Sequence, residues 1–175
     1  GLSDDMINKV QVYMKNGGLI VFDTRDLSPT NIITKNKSKE QKALKAILKS
    51  LDLPILIKVP ESHVIRRSFY LLDKLPGRYT GGDVWVEATA MNSKDGVSSV
   101  IIGGNDWASA WAKDSNYKPL YSVIPGGEKQ REFSYRFGVN LVMYAMTGNY
   151  KADQVHIKSI LKRLNNKPNK TKEIE

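Results

Sequence analysis

The chain has 175 residues, 41% hydrophobic and 26% charged, with 27 Lys+Arg against 18 Asp+Glu and a formal net charge of +9. Those values describe one folded domain with a real core and exclude the disordered and fibrous classes. The absence of cysteine removes disulfide frameworks, thiolate zinc sites and cysteine nucleophiles, and no apolar run approaches the roughly 18 residues of a membrane span, so the sequence reads as a soluble domain.

Residues 3–16 predict a helix. Ser3 is a good N-cap, Asp4 and Asp5 suit the positive end, and Met6, Ile7, Val10 and Met14 keep helical spacing up to Gly17-Gly18. Leu19-Ile20-Val21-Phe22 is a continuous apolar run, the pattern of a strand buried on both faces, and it stops at the polar burst Asp23-Thr24-Arg25-Asp26. A buried strand with polar residues at its carboxyl end is the grammar of an open parallel sheet. Because the first helix precedes its strand, that grammar implies a further strand upstream.

A second helix is predicted over 39–51, with Leu44, Ile47, Leu48 and Leu51 on one face. Leu53 to Val59 reads as extended between Pro54 and Pro60, Ser68–Leu72 as a strand, and Gly77 to Gly82 as a turn-rich loop. Val84–Ala88 and Ser98–Ile102 form two more strands joined through Asn92–Gly96. After Gly103-Gly104-Asn105-Asp106 come a short helix over 107–113, a long one over 128–146 and a final one over 153–164. Residues 1–164 make a single domain and 165–175 a flexible basic tail.

The positive excess is concentrated in two lysine-rich segments. One holds Lys35, Lys37, Lys39, Lys42, Lys45 and Lys49; the other holds Lys162, Arg163, Lys167, Lys170 and Lys172. Neither contains an aromatic side chain to stack on bases, so a solvated helix face and a tail are expected, with no nucleic-acid partner. Weak attraction to anionic headgroups is the lesser reading.

Chemistry is expected where open α/β sheets bind ligands, outside the carboxyl ends of strands. Asp23 there is a candidate general base and Arg25 a bidentate anion holder; the plainer reading has Asp23 capping a loop and Arg25 pairing with Asp26. Gly103-Gly104-Asn105-Asp106 is a strand-to-helix turn whose glycines permit close backbone approach, although it lacks a P-loop ending and Asp106 reads more readily as a helix cap. His63 lies on a loop before Arg66-Arg67, placed for acid/base work or anion binding. His156 reads as a surface or packing residue, and the two histidines lack the spacing of a metal site, so no metal and no cofactor are expected. Trp107 and Trp111, at i and i+4, share a helix face and pack together, with a sugar-stacking platform as the sharper alternative. Arg131 and Arg136 bridge to the sheet edge.

Four long runs also carry a resemblance. They are Gly17–Asp26, Val59–His63 with Arg67–Leu72, Ser99–Trp107, and Gly126–Glu132 continuing through Tyr135–Gly148 to Tyr150–His156. Together they resemble the uncharacterised C-terminal domain of alphaproteobacterial membrane proteins that carry an aerotolerance-regulator-like N-terminal region. The resemblance implies a class I glutamine amidotransferase-like fold: a flavodoxin-like three-layer α/β sandwich with a mostly parallel sheet. It also implies a membrane-anchored bacterial protein, partnered by other domains of the same protein or by operon-type partner proteins; the side of the membrane stays open, with the periplasmic one favoured. It implies no reaction, since amidotransferases use a cysteine on a strand-to-helix elbow and Asn105 and Asp106 stand at the nearest such turn here.

The function expected is therefore a non-catalytic ligand- or protein-binding module, with a cleft built from Asp23, Arg25, His63, Arg67, Asn105 and Asp106 and open to a small molecule. The alternative is a hydrolase of a sugar or amide, with Asp23 or Asp106 as base and His63 as acid.

Overall fold

The computed structural model describes residues 2–27, 39–88 and 97–147. Helix α1 (Asp4–Lys15) begins as its sequence dictates, with the Ser3 side chain accepting from the Met6 amide at 3.4 Å. It ends where Gly17, at φ 84°, turns into the left-handed region, and the Gly17 and Gly18 amides close back onto the carbonyls of Met14 and Tyr13.

Strand β1 (Ile20–Asp23) enters a four-stranded sheet with β2 (Leu56–Lys58), β3 (Trp85–Glu87) and β4 (Val100–Gly103), in the order β1-β4-β3-β2. β1 and β4 are parallel, Ile20 opposite Val100 and Asp23 opposite Gly103. β3 runs antiparallel to both β4 and β2. The sheet is thus mixed, and this overturns the flavodoxin-like, amidotransferase-like sandwich with a mostly parallel sheet. The physical reason is the connections. A parallel neighbour needs a crossover long enough to carry a helix over the sheet. The sequence between β3 and β4 carries the turn formers Asn92 to Gly96 instead, and only a 3₁₀ turn (Val64–Arg66) lies between β2 and β3.

One face of the sheet presents a row of registered neighbours, Val21, Ile101, Val86 and Ile57, to the main core. The long helix α4 (Gly127–Thr147) packs there through Phe137 and Tyr144, which join Ile65, Leu72, Leu75 and Trp107. Helix α2 (Lys39–Ser50) brings Leu44 to a cavity shared with Trp85 and Ile102, side chains of the opposite face. Lys39, Lys42, Lys45 and Lys49 all point to solvent, the solvated face expected of this helix.

The short helix α3 (Trp107–Trp111) follows β4. Its two tryptophans turn towards α4 rather than forming a platform: Trp107 is buried with its ring 5.0 Å from that of Phe137, and Trp111 Nε1 donates to the Ser134 carbonyl at 2.8 Å. Residues 68–72 do not form the expected strand, because the Phe69 and Tyr70 amides donate to Asn140 Oδ1 on α4 and not to a neighbouring strand. Arg131 bridges to the carbonyls of Ala110 and Tyr121, and Arg136 lies over Tyr70 and Phe133, so neither reaches the sheet edge.

Lys35, Lys37, the 92–96 connection, the predicted helix 153–164 with His156, and the tail 165–175 lie outside the described residues. Among the described residues no helix is long and apolar enough to cross a membrane.

Candidate functional site at the carboxyl ends of β1 and β4

β1, β2 and β4 all end on the same edge of the sheet, since β3 alone runs the other way. The Gly103–Asp106 turn leaves β4 at that edge and borders three cavities: Gly103 and Gly104 line one, Asn105 a second and Asp106 a third.

Asp23, the last residue of β1, is the hinge of this arrangement. Its Oδ1 accepts from the Asp106 amide at 3.0 Å and its Oδ2 from the Trp107 amide at 2.6 Å, so Asp23 caps α3 from across the sheet. Asp106, expected as the cap, occupies the N-cap position at φ 56° with no side-chain capping bond. Its buried carboxylate points elsewhere, with Oδ2 3.6 Å from Arg78 Nη1 and Oδ1 without a hydrogen-bond partner. Arg25 does not pair with Asp26. Asp26 instead accepts from the Thr24 hydroxyl and from the Gln41 amide group, and Arg25, also left-handed at φ 54°, is exposed.

Burial pushes the Asp23 carboxyl above the ordinary aspartate value of 3.8; the neighbouring Asp106 charge adds to this, while the amides of Trp107, Asp106 and Arg25 pull the other way. A carboxyl with a raised folded-state pKa holds its proton more tightly when folded. It therefore supports folding below its unfolded value, and that support is lost as pH rises through the window above 3.8. Asparagine cannot ionise and keeps only one oxygen for the two amides. The stability deficit of Asp23→Asn, read from urea unfolding, is expected to be larger at pH 4 than at pH 7. A deficit that grows with pH would overturn this assignment.

The cleft itself has a volume of about 370 Å³ and is lined by Thr24, Arg25, Arg78, Tyr79, Asp106, Ser109 and Tyr121. Arg78 Cζ lies over the rings of Tyr79 and Tyr121, at 5.3 and 5.2 Å from their centroids, with Nε donating to the Ser122 carbonyl at 3.1 Å. The backbone of 77–79 is fixed on both sides: the Arg78 and Tyr79 amides donate to the Asp106 and Asn105 carbonyls, and the Ile124 amide donates to the Arg78 carbonyl. Gln130, on the first turn of α4, secures the junction. Its Nε2 lies 2.9, 3.0 and 3.1 Å from the carbonyls of Gly77, Arg78 and Ile124, and its Oε1 accepts from the Gly126 amide.

Of the residues expected here, Arg25 and Asp106 line this cleft and Asp23 sits directly behind it. Asn105 is buried against the adjacent 570 Å³ cavity, Nδ2 donating to the Leu75 carbonyl at 2.8 Å and Oδ1 unpartnered. His63 and Arg67 are elsewhere. His63 is a buried cap of the 3₁₀ turn, its Nδ1 accepting from the Ile65 amide at 3.2 Å, and its ring lies 5.7 Å from that of Tyr144. Tyr144 is fourteen residues along α4 from Gln130, about 21 Å at the helical rise. Arg67 is exposed and donates to the Ser62 carbonyl. Arg78, Tyr79, Ser109 and Tyr121 are the residues sequence reasoning missed. The one signal for Arg78 was a cation and an aromatic adjacent inside a glycine-flanked loop.

Among the described residues no three histidine, cysteine or acidic side chains are grouped to hold a metal ion. No curated protein matches the chain. A family model described as a domain of unknown function, DUF4159, matches residues 1–146, and the chain belongs to that family.

Proposed function

We propose that this member of the family is a non-catalytic binding module that takes a small anionic group, a carboxylate or phosphate, in the cleft between Arg25 and Arg78. The observation that carries this reading is that two arginines, Arg25 and Arg78, line one polar cleft at the carboxyl edge of the sheet. Arg78 is pre-oriented by its two tyrosines, so little side-chain freedom remains to be lost when it grips an anion. Arg25 stands exposed at the mouth. Ser109 also lines the cleft, the Thr24 hydroxyl being engaged with Asp26, and the Asp106 carboxylate excludes a ligand that is anionic over its whole surface.

Catalysis has no comparable support. The Asp23 oxygens are engaged as caps, and the hydrolase reading needs His63 as acid, yet His63 lies at the other end of α4. The wider setting in this proposal is a membrane-anchored bacterial protein with the domain on the periplasmic side, serving other domains of that protein or a partner protein. Its support is the resemblance of the long motif runs alone.

The test is a titration followed by amide NMR shifts, using inorganic phosphate and acetate as probes. Shifts confined to residues 24–25, 78–79, 106–109 and 121 are expected. Arg25→Ala, which removes an exposed side chain, is expected to weaken binding by about 10-fold or more, the scale of one charge-assisted hydrogen bond. Equal affinity in both proteins, or shifts elsewhere, would overturn the proposal.

A further inference from the structure

The connection between α3 and α4 carries a shelf of aromatic and apolar side chains beside the arginine cleft. Tyr117, Leu120, Tyr121 and Ile124 are 82%, 55%, 45% and 39% exposed, and Tyr121 lines the cleft as well. Exposed apolar residues scattered singly are ordinary, whereas a run of them in one short loop marks a contact surface. The shelf is held from several directions. Asp114 Oδ1 accepts from the Asn116 and Lys118 amides at 2.8 and 2.9 Å, and Lys113 pairs with Pro119 in an antiparallel bridge. The Leu120 amide donates to the Ala112 carbonyl, the Tyr121 carbonyl accepts from Arg131 Nη2, and the Ile124 amide donates to the Arg78 carbonyl. A ligand that lies on this shelf therefore has little backbone to order.

Three chemistries meet at this place. Arg25 and Arg78 both line the cleft, and a guanidinium matches the two oxygens of a carboxylate. Asp106 lines the same cleft, is 4% exposed, and has an Oδ1 that accepts no hydrogen bond. A buried acceptor without a donor is costly, so a ligand N–H that satisfies it gains more than it would at an exposed group. The shelf adds apolar area next to both. The last residue of a polypeptide carries all three complements around one carbon: a carboxylate, an amide N–H and a side chain. A fatty carboxylate has no N–H, and inorganic phosphate has no apolar group. Capture of a terminal carboxylate is also a recurring mode of peptide recognition.

We infer that cleft and shelf together capture the C-terminus of a partner polypeptide whose last residue is apolar. Its carboxylate goes to Arg25 and Arg78, its amide to Asp106 and its side chain to Leu120 and Ile124. This rests on the anion-binding reading of the cleft and names the partner class. The test follows amide NMR shifts of the full chain with acetate, 4-methylpentanoate, N-acetyl-leucine and N-acetyl-leucinamide. The second probe is leucine without its amino group, and the last lacks the carboxylate. N-acetyl-leucine is expected to bind about 10-fold or more tighter than acetate, the scale of one partly buried leucine side chain. Its shifts should spread from the cleft onto residues 117 and 120–124, and 4-methylpentanoate should fall between the two. The leucinamide should bind about 10-fold more weakly than N-acetyl-leucine. In Leu120→Ser, which changes an exposed side chain, the ratio of N-acetyl-leucine to acetate affinity should fall by about 5-fold. An unchanged ratio there, or equal affinity for acetate and N-acetyl-leucine in the cleft, would overturn the inference and leave the anion reading standing. So would 4-methylpentanoate binding as tightly as N-acetyl-leucine, which assigns the site to fatty carboxylates. Leucinamide binding as tightly as N-acetyl-leucine, or no cleft shift with any carboxylate, would overturn both.

Discussion

Asn140→Ala is expected to cost about 4 kcal/mol of stability, a drop in Tm of about 8–16 °C for a chain of this size. Asn140 is fully buried in the middle of α4 and uses every hydrogen-bonding position it has. Oδ1 accepts from the Phe69 and Tyr70 amides at 3.2 and 2.7 Å, and Nδ2 donates to the Ile65 and Tyr70 carbonyls at 2.9 and 2.8 Å. These bonds replace the strand ladder that residues 68–72 do not have. Removing the amide group strands main-chain groups that have no other partner, and the vacated volume adds a cavity cost. Asn140→Leu restores volume but no polar partner, so it should rescue little. A loss below about 1 kcal/mol in urea unfolding would show that water or a shifted backbone replaces the clamp.

Gln130→Ala should cost about 3 kcal/mol and, unlike Asn140→Ala, should also weaken phosphate binding by roughly 10-fold. The same type of side chain does a different job here because of where it sits. Gln130 gathers the carbonyls of Gly77, Arg78 and Ile124, from two stretches of irregular backbone that place Arg78, Tyr79 and Tyr121 around the cleft. With Gln130 gone, the backbone that sets the Arg78 guanidinium over the Tyr79 and Tyr121 rings is released, and the ordering cost returns at the binding step. Gln130→Met keeps the volume and removes the polar clamp, so it separates packing from positioning: the binding defect should persist in it. Unchanged phosphate affinity in a folded Gln130→Met protein would show that Arg78 is held by its rings alone.

These two amides illustrate why part of the molecule is invisible in the sequence. Asn140 and Gln130 read as ordinary polar positions of a long helix, since nothing local distinguishes a side chain that solvates itself in water from one that satisfies a distant loop. The same holds at the site. Asp23 and Asp106 both stand at plausible capping positions, yet the nearer carboxylate turns to Arg78 and the one more than eighty residues away caps α3. His63 reads as a loop acid/base beside two arginines; its ring is instead the cap of a short turn, packed on Tyr144.

What the sequence determined by itself are the features set by neighbours a few residues apart. The Ser3 cap and the Gly17 stop fix α1, the apolar runs fix β1 and β4, and helical periodicity places α2 and α4 within a residue or so of their ends. The placement of Asp23 and of the Gly103–Asp106 turn at the carboxyl ends of β1 and β4 belongs here too, because a polar burst after a buried strand is a local signal. The tertiary structure alone decided the direction of β3, and with it a mixed sheet in place of a parallel one, because strand polarity depends on how connections pack and not on the strand's own pattern. It also decided that Arg78 rather than His63 faces Arg25, since which residues meet across a cleft depends on long-range hydrogen bonds from α4 that carry no signature in the residues they hold.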